Sequence, residues 1–385
     1  MFRLFALMAV IGSVYVASGT ALAVPLESVT VRADGEGALE VVCDGVMIDA
    51  VNGSISTPVA PCAAAPSVTI TGTSSPSTAV DDHHIDSPGD VHDHADSSWQ
   101  PLVDVTVSAD LVVDGPVTID GKMIVIGSSI TASSITISGT GGVNISDGAS
   151  LTSTGGPIVI NGANVGTVVS GGAVVDASGG DVEISGSFNL IQGDVRSASG
   201  RITVLGVDGG FTWLEGSIDS SDMSTKGVGG PVVVTAGAIF LESTSSITSS
   251  GLRGGGNIFV GGSYRGEGDV PTATSVLVKT GAVIDASAVT DGDGGDVVIW
   301  ADDLTSYDGE IVTNGGSDSG NGGDVEVSSK LSLQQAGSID TTAPNGADGA
   351  ILIDPLYYVV MPFPEPLLSG IDDLDIGPTQ GRRGL

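Results

Sequence analysis

Gly294-Gly295-Asp296-Val297-Val298-Ile299 and, further along, Gly322-Gly323-Asp324-Val325-Glu326-Val327 are one phrase written twice. A glycine pair makes a turn, a small or polar residue follows, and a short Val/Ile run closes it. Toward the N-terminus the phrase recurs as Gly255-Gly256-Asn257 before Ile258-Phe259-Val260, and as Gly229-Gly230-Pro231 before Val232-Val233-Val234. It recurs again as Gly179-Gly180-Asp181 before Val182-Glu183-Ile184, and as Gly155-Gly156-Pro157 before Ile158-Val159-Ile160. Degenerate copies stand at Ser199-Gly200-Arg201 and Asp348-Gly349-Ala350. The mean spacing is about 28 residues, within the range of solenoid repeats.

A second phrase precedes each glycine pair: an apolar residue, then Asp or Thr, then a small one. Val175-Asp176-Ala177, Ile218-Asp219-Ser220, Ile247-Thr248-Ser249, Ile284-Asp285-Ala286, Val312-Thr313-Asn314 and Ile339-Asp340-Thr341 are its copies. Each repeat thus carries at least two strands between glycine-rich turns. Alternation points Ile184 inward and places Glu183 and Glu326 outward. Helical periodicity is absent, and glycine is too frequent for long helices. Val and Ile dominate the apolar residues and favour strands. A narrow core with small corner residues and few aromatics predicts an all-β chain, a right-handed parallel β-helix with one coil per repeat.

The composition bounds the partners. The chain has 59 Gly, 4% aromatic residues, 12 Lys plus Arg against 46 Asp plus Glu, and a formal net charge of -34. That charge argues against binding nucleic acid or anionic lipid and favours solubility. A hydrophobic content of 41% opposes disorder.

Residues 1–23 read as a signal peptide: Arg3, the apolar run Leu4 to Val16, and the small-residue site Ala21-Leu22-Ala23. No later run is long enough for a transmembrane anchor. Residues 24–72 are expected to form a small strand-rich cap, 73–101 a His/Asp/Ser-rich linker, 102–355 the β-helix, with irregular first coils over 102–148, and 356–385 a C-terminal cap and tail. Export makes Cys43 and Cys62 a candidate disulfide, worth about 3 kcal/mol in the chain-entropy model; two unpaired thiols are the alternative.

The stretch from Gly255 to Pro355 contains VGGSYRG, IDASA, DGGDVVIWADD, GNGGDVEVS, SIDTTAPNG and LIDP in that order. In these motifs and their spacing it resembles the repeat module of filamentous-haemagglutinin-family exoproteins of Gram-negative bacteria. The resemblance implies a β-helical shaft, export to the surface or medium through an outer-membrane two-partner transporter, and a role in adhesion, aggregation or matrix structure. The partners it implies are glycans or proteins on host or neighbouring cells. The family's secretion domain carries Asn-Pro-Asn-type motifs, and residues 24–150 contain none.

Three further features carry candidate chemistry. His83, His84, His92 and His94 are the only histidines and stand among aspartates, a donor set suited to a transition metal; a polar linker is the bland alternative. Asp181, Asp296 and Asp324 occupy equivalent turn positions and are candidate calcium ligands. Parallel β-helices also host polysaccharide lyases and hydrolases, and Asp302-Asp303 is the obvious carboxylate pair. No catalytic residue is assigned and no cofactor is required on this reading. A carbohydrate-active enzyme and an exported metal-binding protein are the alternatives. The longest repeat interval contains the insertion Gly262 to Ser275, expected as a side-facing contact loop.

Overall fold

The computed structural model describes residues 104–107 and 110–360, together with the strands Val29–Ala33, Leu39–Cys43, Val46–Asp49, Ile70–Thr73, Leu368–Ser369 and Leu374–Ile376. Residues 1–23, the four histidines and Cys62 lie outside the described residues, and Cys43 is described only as the end of its strand.

The chain forms a parallel β-helix. Each coil contributes three short strands, one to each of three faces, designated A, B and C in chain order. In one coil these are Val297–Ala301, Leu304–Tyr307 and Glu310–Val312. In the next they are Val325–Ser329, Ser332–Gln335 and Ser338–Asp340, and every pair is parallel and in register. In two coils faces A and B are one long strand bent at the corner, Val182–Ile191 and Ile202–Leu214. Face C is a separate ladder running from Leu111–Val112 to Leu368–Ser369.

One inward position on face A recurs at Val117, Ile135, Ile158, Val182, Ile202, Val232, Ile258, Val297, Val325 and Ile351. The coil is therefore 18 residues long at its shortest (117 to 135) and 39 at its longest (258 to 297). Register is kept on each face, and the variation falls in the turns and, in the two long bent strands, at a shift between Gly186 and Phe188. The coils over 116–153, expected to be irregular, are regular, with alternating burial along their strands.

Inward residues are almost all Ile, Val and Leu, and Ile135, Ile160, Ile184, Val204 and Ile258 are fully buried. Burying each such side chain contributes roughly 1.5–3 kcal/mol. The inward polar residues sit at corners, where the turning backbone leaves carbonyls without a ladder partner. At the corner from face C to face A, Ser197, Ser220 and Ser249 donate to the carbonyls of Gly180, Gly200 and Gly230 at 2.6, 2.5 and 2.5 Å. Thr313 and Thr341 do the same toward Gly323 and Gly349 at 2.9 and 3.0 Å. Ser220, Ser249 and Thr341 close copies of the second sequence phrase, and the ladder adds Val195-Arg196-Ser197 and shifts the copy near 312 by one residue to Ile311-Val312-Thr313, so the phrase is a corner signature.

At the N-terminal end, Val29–Ala33 pairs in parallel with Pro116–Gly121 and antiparallel with Leu39–Cys43. Ile70–Thr73 pairs antiparallel with Asp104–Val107. Antiparallel strands here interrupt the parallel ladder at its first coil, where an open edge would otherwise invite another chain. At the other end, Tyr357–Val360, Leu368–Ser369 and Leu374–Ile376 continue faces B, C and A.

Candidate functional site

The aspartates of the two phrases serve the backbone. Asp176, Asp219, Asp285 and Asp340 each accept the N–H two residues on, at 2.8–3.0 Å, closing a side-chain turn at the corner. Their column on face C reads Asp176, Arg196, Asp219, Thr248, Asp285, Val312, Asp340, so no two aspartates are neighbours. In the column before face A, Asp181 and Asp296 are separated by Arg201, Pro231 and Asn257, while Asp296 and Asp324 are adjacent. Each of these three carboxylates accepts a backbone N–H of the following coil: Arg201 at 2.9 Å, Asp324 at 3.2 Å and Ala350 at 2.8 Å. Burial, then the neighbouring Asp324 charge, push the Asp296 carboxyl up, against the opposing effect of its backbone hydrogen bond. Among the described residues no group of three or more His, Cys, Asp or Glu converges as a metal site.

The insertion Gly262 to Ser275 does not project sideways. It folds back over the outer side of face A and covers the two following coils. Gly262 and Gly266 lie on the ring of Trp300: an added Cβ would meet the indole at 2.8 and 2.5 Å. Thr235 Oγ1 donates to Pro271 O at 2.6 Å and pins the far end. Glu326, pointing out of the sheet as the alternation predicts, is nevertheless only 1% exposed because this loop lies over it. Its Oε2 accepts the Arg265 N–H at 2.8 Å, and Oε1 has no partner. Arg265 is left-handed, at φ 57°, with its guanidinium 5.2 Å from the exposed Tyr264 ring. Sequence alternation gives the direction of Glu326; only the loop's path gives its burial.

Desolvation pushes the Glu326 carboxyl above its ordinary value, with Asp354 adding to the rise and Arg265 and Ser328 opposing it. A raised folded-state value means the charged form is disfavoured by folding. Its contribution to stability is present below the ordinary carboxylate range and is lost as pH rises through the raised value. Glu326→Gln removes this term. The variant is expected to gain stability relative to wild type as pH rises from the ordinary carboxylate range through the raised Glu326 value. Paired denaturation curves check this, since the repulsion of the whole chain is common to both proteins. A difference that does not change with pH would show that Glu326 is not a buried titrating group.

Face B carries an apolar patch on its outer side. The outward column reads Asn144, Val168, Leu190, Trp213, Phe240, Leu277, Ser306, Gln334. Five consecutive apolar rungs, Val168 to Leu277, are bounded by polar ones; at about 4.8 Å per coil they span roughly 19 Å. A parallel outward pair, Phe188 and Phe211, widens the patch. Phe188 and Phe211 rings are 4.6 Å apart, and Trp213 stacks on Phe240 at 5.1 Å. Phe211 is 42% exposed and the other members of the patch are partly exposed. This patch holds three of the four phenylalanines among the described residues. The sequence signal is faint: Phe188-Asn189-Leu190, Phe211-Thr212-Trp213, Ala238-Ile239-Phe240 and Ser275-Val276-Leu277 align only once the coil lengths are known.

The expected carboxylate pair Asp302-Asp303 sits in a tight turn between faces A and B. The Asp302 and Asp303 N–H groups donate to the carbonyls of Ala273 and Thr274, and Asp302 accepts Thr272 Oγ1 at 2.8 Å. A shallow groove of about 240 Å³ crosses the corner from face B to face C, lined in part by Gly281, Asp308, Gly309, Glu310 and Gly337.

No family model and no curated protein matches the chain. Three solved chains match by structure. One is the crystal structure of the HMW1 secretion domain from Haemophilus influenzae, with 16% sequence identity and a TM-score of 0.44, covering 67% of this chain and 92% of that chain.

Proposed function

We propose that this protein is an exported β-helical exoprotein that acts by surface contact, in attachment, aggregation or matrix structure. The observation that carries the reading is the bounded apolar patch on face B, held on a long solenoid. Contiguous exposed apolar surface marks an interaction site, and a solenoid presents such surface as a rigid, extended array. The charged, apolar and small-residue segments of residues 1–23 support export. The resemblance of Gly255 to Pro355 to haemagglutinin-type repeats supports the same class, and glycans or proteins of other cells as partners. An outer-membrane transporter belongs to this proposal as the export partner.

The test uses the full exported protein coated on beads. Coated beads are expected to aggregate or to attach to cell surfaces more than albumin-coated controls. Beads indistinguishable from controls would sink the contact reading. The enzymatic alternative has its own measurement: release of reducing ends or unsaturated products from polysaccharides incubated with the soluble protein.

A further inference from the structure

We propose that the outer patch of face B is a binding strip for an uncharged polysaccharide chain. This rests on the contact reading above and specifies its partner.

The rim of the patch sets the charge of what it takes. Where face B turns toward face C, the polar side chains are paired with one another. Gln192 Nε2 donates to Glu215 Oε2 at 2.8 Å. Lys279 Nζ donates to the Glu242 carboxylate at 2.6 and 2.7 Å, and lies 6.0 Å from the Trp213 ring. Arg196 pairs with Asp194 at 2.8 Å, and Ser217 donates to the same carboxylate at 2.6 Å. Only 12 Lys and Arg serve the whole chain, and two of them neutralise carboxylates on this rim.

The rim thus sets two cations against three carboxylates, Glu215 being paired only with the neutral Gln192, on a molecule of net charge -34. The molecule's field repels polyanions and a second copy of itself. Two of the three rim carboxylates are neutralised, which leaves Glu215 alone to hold a cationic peptide. A neutral ligand rich in hydroxyls fits both conditions.

The patch's shape agrees. A pyranose ring has an apolar C–H face and a polar edge. The side chains of Leu190, Trp213, Phe240 and Leu277 offer apolar surface for the first, in a straight row. Gln192, Glu215 and Glu242 offer donors and acceptors for the second, in a parallel row one turn away. The backbone beneath is fully paired in the ladder, so recognition falls to side chains, and a row without walls suits an extended polymer better than a single sugar.

Electrophoresis of the full exported protein in gels containing a soluble polysaccharide tests this directly. The neutral probes are hydroxyethylcellulose, laminarin, galactomannan and soluble starch; alginate and polylysine are the charged ones. At least one neutral polymer is expected to retard the protein, and alginate is not. Trp213→Ala and Phe240→Ala are expected to weaken binding of that polymer at least ten-fold by titration calorimetry, while Glu183→Ser, elsewhere on the outer surface, leaves it unchanged. If truncation of a stacked ring disturbs its coil, seen as lost strand signal in circular dichroism, Leu277→Ser at the end of the row gives the same reading.

Retardation by none of the neutral polymers, by polylysine alone, or equally for all variants would overturn the proposal. The two readings separate cleanly. Beads that attach to cells but ignore neutral glycans and the patch substitutions leave the contact function standing without this strip. Glycan binding lost in the variants, with no attachment by beads, leaves the strip standing without that function.

Discussion

Ile184→Asp is expected to destabilise the protein by about 3–5 kcal/mol, while Glu183→Ser, one residue away, changes it by about 0.5 kcal/mol or less. Ile184 is surrounded by other side chains and closed to water: its relative accessibility is 0%. It stacks between Ile160 of the coil before and Val204 of the coil after. A carboxylate there has no cation within the core and no route to solvent, so it folds only after protonation or by opening the coil. Glu183 points away from the core and is exposed. Denaturation followed by circular dichroism reads both variants. Equal tolerance of the two substitutions would mean that inside and outside have been exchanged.

The consequence extends beyond one side chain, because a solenoid is held together by nearest-neighbour contacts. Val182–Ile191 and Ile202–Leu214 are the two coils in which faces A and B are continuous. A charge inserted there separates the coils before Val182 from those after Leu214. Unfolding of Ile184→Asp is therefore expected in two steps, which makes a single midpoint a poor measure. Hydrogen exchange resolved along the chain shows where the stack has parted.

Much of this architecture is legible in the sequence for a physical reason. Every coil must turn tightly, and the turns demand glycine, so Gly255, Gly294 and Gly322 advertise the corners. Every coil must also fill one narrow core, so Val and Ile recur at constant register. What the sequence does not advertise is set by turn length. The insertion Gly262 to Ser275 reads as an outward loop because nothing local marks its return onto Trp300 and Glu326, which belong to later coils. The face B patch is hidden for the same reason: Leu190, Trp213, Phe240 and Leu277 fall at unequal intervals and meet only through the ladder. The aspartate columns reverse the expectation in a useful way. Equivalent turn positions suggest a self-repelling line of charge, but register places Arg196 and Thr248 between the aspartates of face C.

Gly166→Ala is expected to cost about 3 kcal/mol or more, the second large effect, and two neighbouring glycines separate its causes. Gly166 has φ 131°, where an L side chain is strained by about 1–2 kcal/mol. An added Cβ would also stand 1.9 Å from the Phe188 carbonyl oxygen of the next coil. The backbone there cannot retreat alone, since Gly166 N donates to Gly162 O at 2.8 Å and Gly166 O accepts from Val143 N at 3.0 Å. Overpacking of this kind adds about 1–3 kcal/mol. Gly148 has φ 77° and nothing within 4 Å of the point a Cβ would occupy, so Gly148→Ala should show the strain alone. Gly171 has neither a positive φ nor a close neighbour, so Gly171→Ala should stabilise by about 0.4–1 kcal/mol through the lower entropy of the unfolded chain. Equilibrium denaturation of the three variants should therefore rank them Gly171→Ala, Gly148→Ala, Gly166→Ala from most to least stable. Equal losses at Gly148 and Gly166 would mean that the coils do not approach as closely as the stack requires.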